Sequence, residues 1–272
     1  MNASTIPHFS TQAAWALAVA VFALVAGSWL ALTPPGLLGK ADAIGYAICH
    51  RIDLRSFRLG DRPLPLCARC TGIYLGALFG VGTLAALGRT RAGGLPRRPM
   101  LIVLLGFIGL MGLDGANSYL ALLGLPHLYE PQNWLRLLTG TFNGLALGAL
   151  LYPAFNQTLW RDWQPQPVVA RWRELGLLVA VGLTLVALVL MENEAVLYPL
   201  ALLSALGVVM VLTMLYTVGV LVIARRENGA VNWRTALLAV FIGLTLALAQ
   251  IAIIDAGRFW LFGSWSGFPA PR

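Results

Sequence analysis

Seven runs of about twenty apolar residues, joined by connectors rich in Pro, Gly and Arg, leave this 272-residue chain little choice of fold. The runs are 13–32, 70–88, 100–123, 134–153, 174–192, 197–224 and 233–255. The hydrocarbon core of a bilayer is about 30 Å thick and takes about 20 residues of helix to cross. No water reaches the backbone there, so a spanning segment must close its own hydrogen bonds, as a helix does. The expected architecture is therefore an all-α integral membrane protein: one domain over 1–272, about seven transmembrane helices, and one long polar loop, 33–69, between helices 1 and 2. Composition agrees. Only 11% of residues are charged, against about 25% in soluble domains, and mean hydropathy is +0.77.

The formal charge of +8 does not point to nucleic acid. The basic residues are mostly Arg at the ends of apolar runs, where topology determinants sit, and no polar domain interleaves them with exposed aromatics. The partner implied is the lipid bilayer. The first run has no Lys or Arg before it and no small-residue cleavage site before Thr33-Pro34-Pro35, so a retained helix is expected rather than a secretory signal. With the N-terminus inside, the connectors 89–99, 154–173 and 225–234 face the cytoplasm. They hold ten arginines: Arg89, Arg91, Arg97, Arg98, Arg161, Arg171, Arg173, Arg225, Arg226 and Arg234. Nine basic residues oppose them: Lys40, Arg51, Arg55, Arg58, Arg62, Arg69, Arg136, Arg258 and Arg272. The loop arginines are interspersed with Asp42, Asp53 and Asp61, which favours holding them in a site. The orientation expected is N-terminus in and the 33–69 loop outside, in the plasma (inner) membrane.

Two glycine series predict close helix packing. Gly72, Gly76 and Gly80 fall four apart in run two, and Gly106, Gly109 and Gly112 form a looser series in run three.

All three cysteines, Cys49, Cys67 and Cys70, lie within 22 residues, and His50 follows the first. Two thiolates at C-x-x-C spacing plus a distant Cys or His can supply a tetrahedral zinc site, and the same donors suit other transition metals. Adjacent Cys and His seldom both bind one ion, so Cys49 or His50 would complete the set. A second reading is redox: Cys67 and Cys70 open a helix, where a thiol pKa falls, and a C-x-x-C pair can cycle as a disulfide. A third is a staple that merely closes the loop. An enzyme is compatible with the first two readings and not required by any.

Asp114 lies inside run three, where a carboxylate is a functional candidate by default. It is placed to ligate the metal, to accept a proton as a catalytic group, or to pair with Arg51 or Arg55. Those two arginines are candidate contacts for an anionic substrate or lipid headgroup. Asn117 can share the Asp114 face. His127 reads as incidental and Asp255 as interfacial. No Walker-type loop, nucleophile elbow or H-E-x-x-H appears.

The string Cys49-His50-Arg51, then Arg55-Ser56-Phe57, Gly60 and Pro65-Leu66-Cys67-Ala68-Arg69-Cys70-Thr71-Gly72-Ile73-Tyr74-Leu75-Gly76 resembles the signature of an uncharacterised family of prokaryotic polytopic membrane proteins, a domain of unknown function. The resemblance covers about residues 44–118. It implies a membrane fold, and it groups Cys49, His50, Cys67 and Cys70 as one unit. It implies no activity. That family often has proline where this chain has Asp53.

Overall fold

A computed structural model describes residues 11–267; Arg272 lies outside the described residues. Among the described residues, seven helices are long and apolar enough to cross a membrane. They are α1 (Thr11–Leu32), α3 (Ala68–Ala86), α4 (Arg98–Leu122), α5 (Asn133–Leu159), α6 (Trp172–Leu190), α7 (Glu194–Ile223) and α8 (Trp233–Phe262).

The expected long loop after the first span is not there. The segment is built: α2 (Gly36–Ile48), a 3-10 turn at Asp53–Arg55, and a two-stranded antiparallel hairpin of β1 (Arg58–Leu59) and β2 (Arg62–Pro63). Thirteen residues make a helix only about 20 Å long, too short to span. Lys40 and Asp42 break its apolar pattern, which is why it reads as loop. Yet its small residues Gly39, Ala41, Ala43, Gly45 and Ala47 are buried, and it packs against α7 and α8. Asp53 opens the 3-10 turn, a position that accepts proline because the first N–H of a helical turn has no partner within it.

Helix α5 is the centre of the bundle, and its main partner is α3. The Gly72–Gly76–Gly80 face meets a second ladder, Gly140–Gly144–Gly148, on α5. A Cβ at Gly72 would stand 2.5 Å from the Leu137 carbonyl oxygen. At Gly76 and Gly144 it would overlap the backbone carbonyls of Thr141 and Ile73. The backbones touch, so no side chain fits between them. The series Gly106, Gly109 and Gly112 behaves otherwise. A Cβ at any of the three would meet nothing within 4 Å. Helix α4 packs on α5 with its other face, and these glycines look outward.

The connectors gather at two ends. At one, β3 (Ala92–Gly94) pairs in parallel with β4 (Gln164–Pro167), and Trp160 bridges to Ala230. This end holds the ten connector arginines; Arg89 pairs with Glu174 at 2.6 Å and Arg91 with Asp162. The opposite end holds α2, the hairpin, the start of α3 and the α4–α5 connector. Asp255, read as interfacial, has a protein partner. It is 2% exposed between α1 and α8, and its Oδ2 accepts a 2.8 Å bond from Trp29 Nε1.

Candidate metal centre

Gly45 starts the construction. A Cβ there would overlap the Pro65 carbonyl, so its absence lets α2 lie directly on the segment that leads into α3. The end of α2 is closed by Arg258. Its guanidinium stacks 4.0 Å over the Tyr46 ring and donates to the carbonyls of Tyr46 and of Cys49, the latter at 2.9 Å. A cation there also complements the helix dipole. The chain then reverses at Arg51, whose φ of +52° is costly for a residue with a Cβ. Its side chain holds the turn: Nη2 pairs with Asp42 Oδ1 at 2.9 Å and Nη1 donates to Trp265 O at 3.1 Å. The hairpin brings the chain back, with Leu64 N donating to Phe57 O at 2.8 Å, and delivers Cys67 as the N-cap of α3. Cys70 follows on the first turn.

The result is a trio. The sulfurs of Cys49, Cys67 and Cys70 all lie within 4.8 Å of one another, and all three cysteines are free thiols. Cys49 and Cys67 are 4% and 3% exposed. Backbone N–H groups of Arg51 and Cys67 each donate to the Cys49 sulfur at 3.4 Å. Ile44, Ile48, Leu66, Tyr74, Val208 and Leu212 wall the cluster with apolar surface.

These residues fit a metal ion. Zinc–sulfur bonds of about 2.3 Å at tetrahedral angles put sulfurs about 3.8 Å apart, so the observed cluster needs at most about 1 Å of closing. Donors to sulfur from the backbone stabilise thiolate, the form that binds metal. The charge settles on Cys49. Hydrogen bonds from the Cys67 and Cys70 thiols, helped by the two backbone N–H groups, lower its pKa well below the thiol range despite burial. Cys67, placed where a helix N-terminus lowers a thiol, is instead pushed up to about 12, chiefly by its hydrogen bond with Cys49 and then by burial.

His50 is adjacent in sequence but is not one of that trio. Its Nδ1 accepts from Ile52 N at 3.0 Å, and the ring feels the charges of Cys49 and of three arginines, Arg55, Arg69 and Arg136. Burial lowers its pKa first; the three positive neighbours add to that, against the Cys49 thiolate.

Asp114 belongs to a neighbouring network. It is 2% exposed and pairs with Arg69, not with Arg51 or Arg55. Tyr129 Oη donates to its Oδ1 at 2.9 Å, and Thr139 Oγ1 to its Oδ2 at 3.4 Å. Asn117 positions Tyr129: its Nδ2 donates to Tyr129 O at 2.8 Å and its Oδ1 accepts from Leu128 N at 2.7 Å. Arg69 also donates to Ser118 Oγ at 3.1 Å, and Arg55 to Ser118 O at 3.4 Å. Arg136, 6% exposed, completes the group from the first turn of α5. Arg51, bound to Asp42 and the Trp265 carbonyl, serves the turn instead. His127 lies apart, paired with Glu130 at 3.0 Å.

Arg69, Tyr129 and Arg136 are the residues that the sequence did not single out. Arg136 carried a signal: a charge at the third residue of an apolar run is a functional candidate under the same rule that selects Asp114. Tyr129 and the Arg69–Asp114 pairing carried none, because both depend on how α3, α4 and the α4–α5 connector meet.

The fold and site define a polytopic α-helical membrane protein with a thiol-lined centre at one end of its bundle. Residues 49–150 match the family described as predicted membrane protein (DUF2085), which bears out the family resemblance. An uncharacterized protein of Methanocaldococcus jannaschii is 29% identical over 122 residues, covering 45% of this chain and 72% of that relative. No solved structure matches. The family match spans both sides of the centre, from Cys49 through α3, α4 and most of α5.

Proposed function

We propose that this chain is an integral membrane metalloprotein in which Cys49, Cys67 and Cys70 hold one thiophilic divalent ion, zinc being the best fit. The convergence of three thiols within 4.8 Å carries the reading. Soft thiolate donors select zinc or copper over magnesium or calcium. No carboxylate or imidazole joins the trio among the described residues. Three protein ligands leave a fourth position for water or substrate, the arrangement of catalytic rather than structural zinc. That supports an enzyme or a ligand-binding protein over a stapled loop. A thiol–disulfide protein is the alternative, favoured by the lowered pKa of Cys49, which makes it the attacking thiol in place of Cys67.

The test is metal content. Purified in detergent without chelator, the chain should carry close to one zinc, lost in Cys67→Ser and in Cys49→Ser. A metal-free preparation with a Cys67–Cys70 or Cys49–Cys67 disulfide trapped by alkylation favours the redox reading.

We infer further that the thiol end lies outside the cytoplasm of a plasma membrane. The clustering of ten arginines at the opposite end supports it. A membrane-impermeant maleimide should label Leu128→Cys in intact cells and spare Asn228→Cys. The reverse pattern inverts the topology.

A further inference from the structure

Three guanidinium groups converge beside the thiol centre with one carboxylate among them. Arg55 and Arg69 meet on Ser118, one on its carbonyl and the other on its hydroxyl. Arg136 approaches from α5, where Gly140 presses against the Arg69 backbone. Its charge faces Arg55, Arg69 and Asp114. Of these groups only Arg69 has an ion pair, with Asp114. Arg136 is 6% exposed, its Nη1 bonds the neutral Asn133 Oδ1 at 2.9 Å, and its buried Nε has no partner. Two other loop carboxylates are engaged elsewhere, Asp42 with Arg51 and Arg62 and Asp53 with Arg58. A buried guanidinium without a counter-charge is expensive and calls for an anion.

We propose that Arg55, Arg69 and Arg136, with His50 at their edge, form a binding site for a phosphoryl oxyanion. Three cations against Asp114 leave an excess of two positive charges. A divalent ion on three thiolates carries one net negative charge, so the cluster stays cationic whether or not metal is bound. The Cys49 thiolate or the metal–thiolate centre takes the local excess to one, so the preference for a phosphoryl group rests on the three forks, which offer more donors than the two oxygens of a carboxylate can accept. Guanidinium forks suit phosphoryl oxygens, and unbonded N–H donors are present to receive them. The half-buried Arg55, Arg69 and His50 leave a way in. Arg51, read from the sequence as an anion contact, is replaced in that role by Arg69 and Arg136. The site rests on the arginines alone and not on the metal reading.

The experiment uses the full chain in phosphatidylcholine nanodiscs, titrated with inorganic phosphate and followed by thermal unfolding, with chloride at matched ionic strength as control. Phosphate should raise the unfolding temperature saturably. Arg136→Gln should weaken the apparent affinity at least about tenfold, the loss of one charge-assisted bond. Arg55→Gln, on the exposed turn, gives the same reading if Arg136→Gln does not accumulate. Discs doped with phosphatidic acid separate the sources. If the lipid competes with phosphate, the ligand is a headgroup; if not, it is a free phosphorylated compound. Each titration is run on chelated and zinc-loaded protein. Saturable binding to the metal-free chain supports the site whatever the metal result. Phosphate binding no stronger than chloride, together with no effect of phosphatidic acid, overturns the proposal. So does binding that requires zinc and ignores both substitutions.

Discussion

Replacing Asp114 with Asn removes the one carboxylate that balances three buried or half-buried arginines, while keeping the shape of the side chain. The asparagine oxygen can still accept from Tyr129, so the loss falls on the Arg69 pair. Removing one partner of a buried ion pair costs about 3–5 kcal/mol because the other charge is stranded. The Arg69 side chain is 19% exposed, which puts the expectation at the lower end, about 3 kcal/mol. Average unfolding entropies of about 2.1 cal/mol/K per residue then give a fall of about 5 °C in the unfolding temperature. The assay is thermal unfolding in detergent, followed by tryptophan fluorescence, of the parent chain, Asp114→Asn, Arg69→Gln and the double variant. The double variant should be more stable than the sum of the single losses implies, with a coupling of at least about 1 kcal/mol. Strictly additive losses would refute the pairing. The same substitution raises the net charge of the cluster, so phosphate should stabilise Asp114→Asn more than the parent chain. Equal stabilisation would count against the cationic site.

Two packing predictions follow from the glycines and from α1. Gly144→Leu inserts a side chain where the Ile73 carbonyl stands and should cost more than the usual 1–3 kcal/mol or so of overpacking, seen as loss of folded protein in detergent. Gly109→Leu, on the outward face of α4, should change stability by less than about 0.5 kcal/mol; similar losses at both positions would contradict the α3–α5 interface. Trp29→Phe removes the 2.8 Å donor to Asp255 Oδ2 and should cost about 1–3 kcal/mol, the range for a buried polar group left unpaired. In Asp255→Leu the further effect of Trp29→Phe should shrink, and unchanged additivity would show that the bond carries no weight.

The seven spans were readable because hydrocarbon thickness dictates run length, and nothing tertiary alters that. The Gly72–Gly76–Gly80 face was readable too, since a four-residue spacing fixes one helix face whatever lies opposite. Its mate, Gly140–Gly144–Gly148, has the same spacing and was there to be found. Gly106, Gly109 and Gly112 share the composition but look outward, because glycine spacing says that a backbone can be approached, not that it is. Helix α2 was hidden by Lys40 and Asp42, which lower its hydropathy. Both are bound within the fold, Lys40 on the end of α1 and Asp42 on Arg51 and Arg62. The cysteine trio was legible from its tight spacing. That only one of Cys49 and His50 joins it was legible too; which one was not, since adjacent residues diverge according to the local turn. The partners of Asp114 come from three other segments, and only the fold selects Arg69 among the nearby arginines.

The thiol centre is a metal site only if the three thiols share one ion. X-ray absorption at the zinc edge of the purified chain counts the ligands directly. About three sulfurs at about 2.3 Å and one nitrogen or oxygen at about 2.0–2.1 Å are expected, with one sulfur fewer in Cys70→Ser if the ion is retained. A chain that binds no stoichiometric metal, or an ion surrounded only by nitrogen and oxygen, would contradict the metal reading.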